Sequence, residues 1–296
     1  SVWQSSRPEG STAGWGALLG DLALSSNSSA VFTCISVTGN AVYLAGKNAV
    51  QYQVTSSGSV AVNGIRSPLF GSAAASSVLQ SLMTGARGQN MENEYARVCQ
   101  RSLNANAQLT SALAGVTLTT AFPSGNSLAD QLKVVARLIA ARNTLGAKRQ
   151  VFFVSIGGFD THDSLLDTHP ALMSRVGQAM AAFYQATVEL GVANQVTAFT
   201  ASDFGRTLVS NNGGSDHGWG SMHFVLGGAV KGAAYYGNAP VIANGGPDDV
   251  GQGRLLPSVS VDQYGATLAT WLGVSNTDLA SVLPNLGNYS TRNLGF

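Results

Sequence analysis

Gln150–Asp163, QVFFVSIGGFDTHD, opens the stretch whose reading decides the fold of this chain. Three further segments follow: Pro170–Val192 (PALMSRVGQAMAAFYQATVELGV), Gln195–Thr207 (QVTAFTASDFGRT) and Asn211–Gly228 (NNGGSDHGWGSMHFVLGG). The order is strand, Gly-rich turn, helix, strand, Gly-rich turn, strand. Each apolar run ends in small residues carrying Asp or His. All four histidines, His162, His169, His217 and His223, fall within this quarter of the sequence. Open α/β sheets place ligands outside the carboxyl ends of their strands, so these turns are expected to meet on one rim. Imidazoles and carboxylates gathered there are the ingredients of a site for a divalent metal, above all Zn, Mn or a similar borderline cation.

Working outward, the totals set bounds. The 296 residues are 45% hydrophobic, ample for a buried core, but only 10% are charged, against roughly 25% in ordinary soluble domains. Ser, Gly, Ala, Asn and Thr fill the difference, a composition that suits exported proteins. A net charge of +1 provides no broad basic face, which argues against a nucleic-acid partner. No stretch reaches the ~18 consecutive apolar residues of a membrane span. The two cysteines, Cys34 and Cys99, read either as buried thiols or as one disulfide in an oxidising compartment. The opening SVWQSSRPEG holds neither an initiator Met nor a signal-peptide apolar region, so a processed or partial polypeptide is expected. No repeat or linker interrupts the chain, and a single domain over 1–296 is expected.

The flanking segments support an α/β reading. AVFTCISV (30–37) suits a buried strand, and AVQYQVTSSGSVAVNGI (49–65) suits a hairpin about its Ser-Ser-Gly-Ser turn. MENEYARVCQRSLNANAQLTSAL (91–113) places Tyr95, Val98, Leu103, Leu109 and Leu113 near helical spacing. LADQLKVVARLIAARNTL (128–145) is an amphipathic helix with Ser127 as its expected cap. AAYYGNAPVIA (233–243) is a candidate strand pair. VDQYGATLATWLGV (261–274) reads as a helix begun by an Asp cap.

The residues that carry chemistry lie in the turns. Asp160 and His162 are two apart after a strand, so in an extended turn they point the same way; they clasp a cation or close a hydrogen-bonded loop. Asp203 occupies the matching place on the next strand, with Arg206 beside it as a clamp for phosphate or sulfate oxygens, or as half of a structural Arg–Asp pair. Asp216 and His217 are adjacent in a Gly-rich loop, a frequent metal-ligating pairing. His223 reads as a ligand or a satisfied core histidine, and His169 before Pro170 as a helix-entry residue. The four scattered Trp residues read as core or loop anchors rather than a sugar-binding face.

GGFDTHD, SDFGRT, NGGSDHGWG and FVLGGAVKG, in that order and spacing, resemble a bacterial family catalogued as a domain of unknown function, number fifteen-oh-one. Its members are typically exported by the twin-arginine route, and it is grouped with the alkaline phosphatase and sulfatase superfamily. The resemblance implies a three-layer sandwich, with a mostly parallel central sheet and helices on both faces. It implies one or two divalent ions (Zn, Mn, Mg or Ca), with Asp160, His162 and His217 on one metal and Asp203 on the other. It also implies an exported, periplasmic or extracellular hydrolase acting on small anionic phosphate or sulfate esters. The Asp–Phe pair 203–204 stands where superfamily enzymes carry Asp–His, so the Asp216–His217 loop is expected to supply the missing imidazole. The family's opening strand, with its nucleophile, has no counterpart here. Either an N-terminal fragment of the same precursor joins the chain, or the site is incomplete. The alternative function is a non-catalytic extracellular assembly subunit, a homo-oligomer built on the same fold.

Overall fold

Residues 2–296 are described by a computed structural model. Two helices lead the chain, α1 (Val2–Ser5) and α2 (Trp15–Ala23), and a sheet of short strands follows. β1 (Cys34–Ser36) runs parallel to β2 (Tyr52–Thr55), and β3 (Gly58–Ser59) folds back antiparallel on β2. The turn between β2 and β3 is the expected one, at Ser56–Ser57. After α3 (Asn63–Arg66), α4 (Ala73–Thr84), α5 (Asn90–Leu113) and α6 (Ser127–Ala140), β4 (Val151–Phe153) joins β1 on its other side, again parallel. The order is β3-β2-β1-β4.

Strand side chains alternate between faces, and the packing follows. Ile35 and Phe152 enter a cluster with Leu109 of α5, Leu132, Val135 and Leu138 of α6, and Phe183. Cys34, Val151 and Phe153 enter a second cluster with Trp15, Leu18 and Leu19 of α2. Both faces of these strands are therefore covered. On α6 the apolar positions read from the sequence, 128, 132, 134, 135, 138 and 139, are all buried. The cap is Asn126 rather than Ser127: its Oδ1 accepts from the Leu128 and Ala129 amides at 3.2 and 3.3 Å. The extended backbone of Asn126 leaves its side chain free to turn back on the first turn.

α7 (Leu165–Glu189) begins before Pro170, so Pro170 lies inside the helix. β5 (Thr197–Phe199), β6 (Gly205–Ser210), β7 (Ser215–Gly218) and β8 (Val225–Gly227) complete the strands, and α8 (Val261–Leu272) and α9 (Asn276–Val282) the helices. The four-stranded sheet is mixed, with two parallel pairings and one antiparallel, and the later strands stand outside it as two separate two-stranded ladders rather than extending it. β5 pairs antiparallel with β8, and β6 pairs antiparallel with β7. Only Asn211–Gly214 joins β6 to β7, and a parallel pair needs a crossover of about a dozen residues or more. The architecture is thus mixed α/β. The 233–243 segment forms no strand among the described residues.

Other expectations also shift. Ser260, not Asp262, caps α8, in a capping box with Gln263. Asp262 is instead buried, accepting from Ser6 Oγ at 2.6 Å and the Asn285 amide at 3.1 Å. On α5, Leu109 and Leu113 are buried, but Tyr95 and Val98 face solvent. α4 buries no residue at all. Both cysteines are free thiols, and burial pushes that of Cys34 up to about 12.

Candidate metal centre

The site is built where two loops meet backbone to backbone. Past β4 the chain runs through Gly158, whose φ of +96° is a conformation side chains disfavour, into Asp160, Thr161 and His162. The β6–β7 turn lies against this segment. A Cβ on Gly214 would sit 2.2 Å from the Thr161 carbonyl oxygen and 2.6 Å from the His162 carbonyl carbon. The Leu165 amide donates to the Gly213 carbonyl at 3.0 Å. Gly213–Gly214 is therefore the sequence's way of pressing the hairpin onto the Asp-Thr-His loop. On the hairpin, Arg206 pairs with His217 and Gly205 with Gly218, which carries His217 toward Asp160.

Two imidazoles then converge on one carboxylate oxygen. His217 Nε2 lies 2.7 Å from Asp160 Oδ1, and His162 Nε2 lies 3.0 Å from the same atom. One ligand atom from each of Asp160, His162 and His217 lies within 4.8 Å of the others. A tetrahedral cation with bonds of ~2.0–2.1 Å needs ligand separations of roughly 3.3 Å, so a movement of a few tenths of an ångström would open the cluster to an ion. A mixed set of two imidazoles and a carboxylate suits borderline cations such as Zn or Mn better than Mg or Ca, which favour oxygen. The three side chains are about half exposed, which leaves room for further ligands on the solvent side.

The surroundings orient these groups. Asp216 Oδ1 lies 3.3 Å from His162 Nδ1 and accepts from Asn211 Nδ2 at 3.0 Å. A carboxylate behind a histidine in this way fixes ring orientation and tautomer in metal sites. The Phe204 ring stacks on His217 at 4.0 Å and 9°, holding that imidazole flat. Asp160 is held below the ordinary carboxylate range, first by the hydrogen bond from His217; desolvation opposes this, and the charges of His162, His217 and Arg206 add to the lowering. It is an anion ready to ligate.

Of the residues singled out in the sequence, Asp160, His162 and His217 come together, with Asp216 directly behind. Asp203 does not join them; its carboxylate accepts from Trp3 Nε1 at 2.8 Å, and Trp15 Nε1 in turn donates to the Trp3 carbonyl at 2.7 Å. Arg206 sits beside the triad, but its terminal nitrogens donate to the carbonyls of Ser215 (2.6 Å) and Phe159 and to Asp160 (3.3 Å). It ties the two loops together from beneath. His223 packs over Tyr264 at 6.3 Å, with its pKa lowered by burial, and His169 sits edge-on to Phe159. Asn211 and Phe204 were not distinguished by sequence reasoning: nothing local marks an Asn in a turn, or a Phe after an Asp, as a support for histidine.

Fold and site together define a mixed α/β protein with a solvent-facing Asp-His-His cluster whose geometry suits a divalent cation. The chain belongs to the family described as "Protein of unknown function (DUF1501)", whose model matches residues 31–281. No curated protein and no solved structure matches it.

Proposed function

We propose that this chain is an exported, metal-dependent hydrolase-like protein of the alkaline phosphatase and sulfatase superfamily, acting on phosphate or sulfate esters in the periplasm or outside the cell. The same reading treats residues 1–296 as one domain and its covered sheet as the superfamily's three-layer arrangement. The observation that carries it is the convergence of two Nε2 atoms on Asp160 Oδ1, at 2.7 and 3.0 Å.

Asp160, His162 and His217 would hold the cation, Zn or Mn by donor type. When bound, the ion supplies Lewis-acid polarisation of an ester oxygen. The chain's own groups set the stage. Asp216 Oδ1 and the Asn211 amide nitrogen stand 3.3 and 3.4 Å from His162 Nδ1 and hold the ring with Nε2 toward Asp160. Phe204 holds the His217 ring in plane. Arg206 locks the two loops at ligating distance through the Ser215 and Phe159 carbonyls. Among the described residues, no Ser, Thr or Cys side chain hydrogen-bonds to Asp160, His162 or His217.

One observation favours a second reading, a non-catalytic extracellular assembly subunit. Asp203 is engaged by Trp3 and the Arg206 terminal nitrogens are engaged by backbone, so the residues expected to serve a second cation and an ester oxygen are both taken up in holding the fold. Elemental analysis of the purified chain and of Asp160→Ala and His217→Ala, paired with turnover of aryl phosphates and sulfates, separates the two. Stoichiometric Zn or Mn lost in both variants, with turnover lost in parallel, is the expected result. Bound metal without turnover selects the second reading, and metal content unchanged by either substitution ends the site assignment.

A further inference from the structure

Away from the metal centre, α3, α4 and the first half of α5 form an arm whose apolar side chains nothing in the fold covers. Phe70 is 95% exposed, Met91 85%, and Val78 and Leu82 58% each. Val78 and Leu82 are one turn apart on α4 and share a stripe, while neighbouring Leu79 packs toward Gly64 of α3. Phe70 stands at the tip of the Pro68–Gly71 turn with φ +51°, a left-handed backbone that costs a bulky side chain free energy. That backbone turns the ring outward.

The charge pattern selects what would cover it. The twenty residues 67–86 contain no charged side chain, and Arg66 and Arg87 bracket them. Residues 60–98 hold three Arg (Arg66, Arg87 and Arg97) against two Glu (Glu92 and Glu94). Glu94 is already engaged by Arg97 and Arg101 at 3.8 and 3.3 Å. An anionic bilayer accepts both halves of the pattern: apolar side chains enter the acyl boundary while arginines meet headgroup phosphates. No helix of the described residues is long and apolar enough to cross a membrane, so the arm lies on the surface.

We propose that residues 60–98 dock on an anionic lipid bilayer, with Phe70, Val78 and Leu82 entering the interface and Arg66 and Arg87 held by headgroups. This stands independently of any chemistry at Asp160. The test is co-sedimentation of the full chain with phosphatidylglycerol/phosphatidylcholine vesicles and with phosphatidylcholine vesicles alone. Binding to the anionic vesicles is expected to exceed that to the neutral ones by about tenfold and to fall at high salt. Phe70→Ser and Leu82→Ser, both on the surface and checked by circular dichroism, should each weaken it by about tenfold. Arg66→Gln should weaken it by about fivefold. Equal binding to both vesicle types, or binding untouched by Phe70→Ser and Leu82→Ser, overturns the proposal. So does a dimer, seen by sedimentation velocity, that these two substitutions convert to monomer, since the face would then join two copies of the chain.

Discussion

The metal centre and the arm of α3–α5 use the same charge-poor composition to opposite ends. Around Asp160 the chain spends glycine to bring backbone against backbone, and the few charged groups are drawn into one cluster. On the arm it spends Ala, Ser, Val, Leu and Phe on a face that neither core cluster covers. The difference teaches that low charge alone does not signal a deep interior. What separates the two regions is whether small residues meet a neighbouring segment or meet solvent.

That contrast can be broken or sharpened by substitution. The largest effect is expected from Gly214→Ala, whose new methyl would overlap the Thr161 carbonyl. Forcing the hairpin off the Asp-Thr-His loop should abolish stoichiometric metal, read by elemental analysis, while Gly88→Ala on the arm, with open space around it, should leave metal content unchanged. Next comes the support of His162. Asp216→Ala should weaken metal binding by about 10–100-fold in competition with a chromogenic chelator; full retention would show that His162 needs no support from behind.

Packing gives a third comparison. Leu138 of α6 is fully buried, so Leu138→Ala should cost about 2–5 kcal/mol in denaturant unfolding. Leu82→Ala on the exposed stripe should stay within about 0.5 kcal/mol. Equal costs would mean that the arm is covered in solution. The smallest effect concerns Glu189 at the end of α7, whose carboxylate accepts from the Thr119 and Thr120 amides at 2.7 and 2.8 Å. These bonds lower its pKa from 4.5 to about 2. A depressed carboxylate stabilises the fold above its unfolded-state pKa and loses that contribution as the pH drops toward the folded value. The melting-temperature gap between the protein and Glu189→Gln should therefore be full at neutral pH and close between pH 4.5 and about 2.

Much of the framework was legible because local periodicity and global packing agree. The apolar stripe of α6, the 56–57 turn and the Asp-x-His spacing each carry their reason within a few residues. What was not legible depends on distant partners. Asp203 looked like a ligand because of its place after a strand; its hydrogen-bond donor, Trp3, is 200 positions away. The β6–β7 hairpin hid inside a Gly-rich run, where a loop and a tight turn have the same composition. Tyr95 and Val98 kept helical spacing without a surface to bury against, since the first half of α5 lies on the arm and outside both core clusters.

The two thiols differ in a way that is useful at the bench. Cys34 is sealed beneath α2, with its proton held to about 12, whereas Cys99 on α5 is partly open. A maleimide dye at neutral pH would find a single address, on the one helix that runs from the arm into the core. The native chain thus carries its own attachment point for a fluorescent reporter.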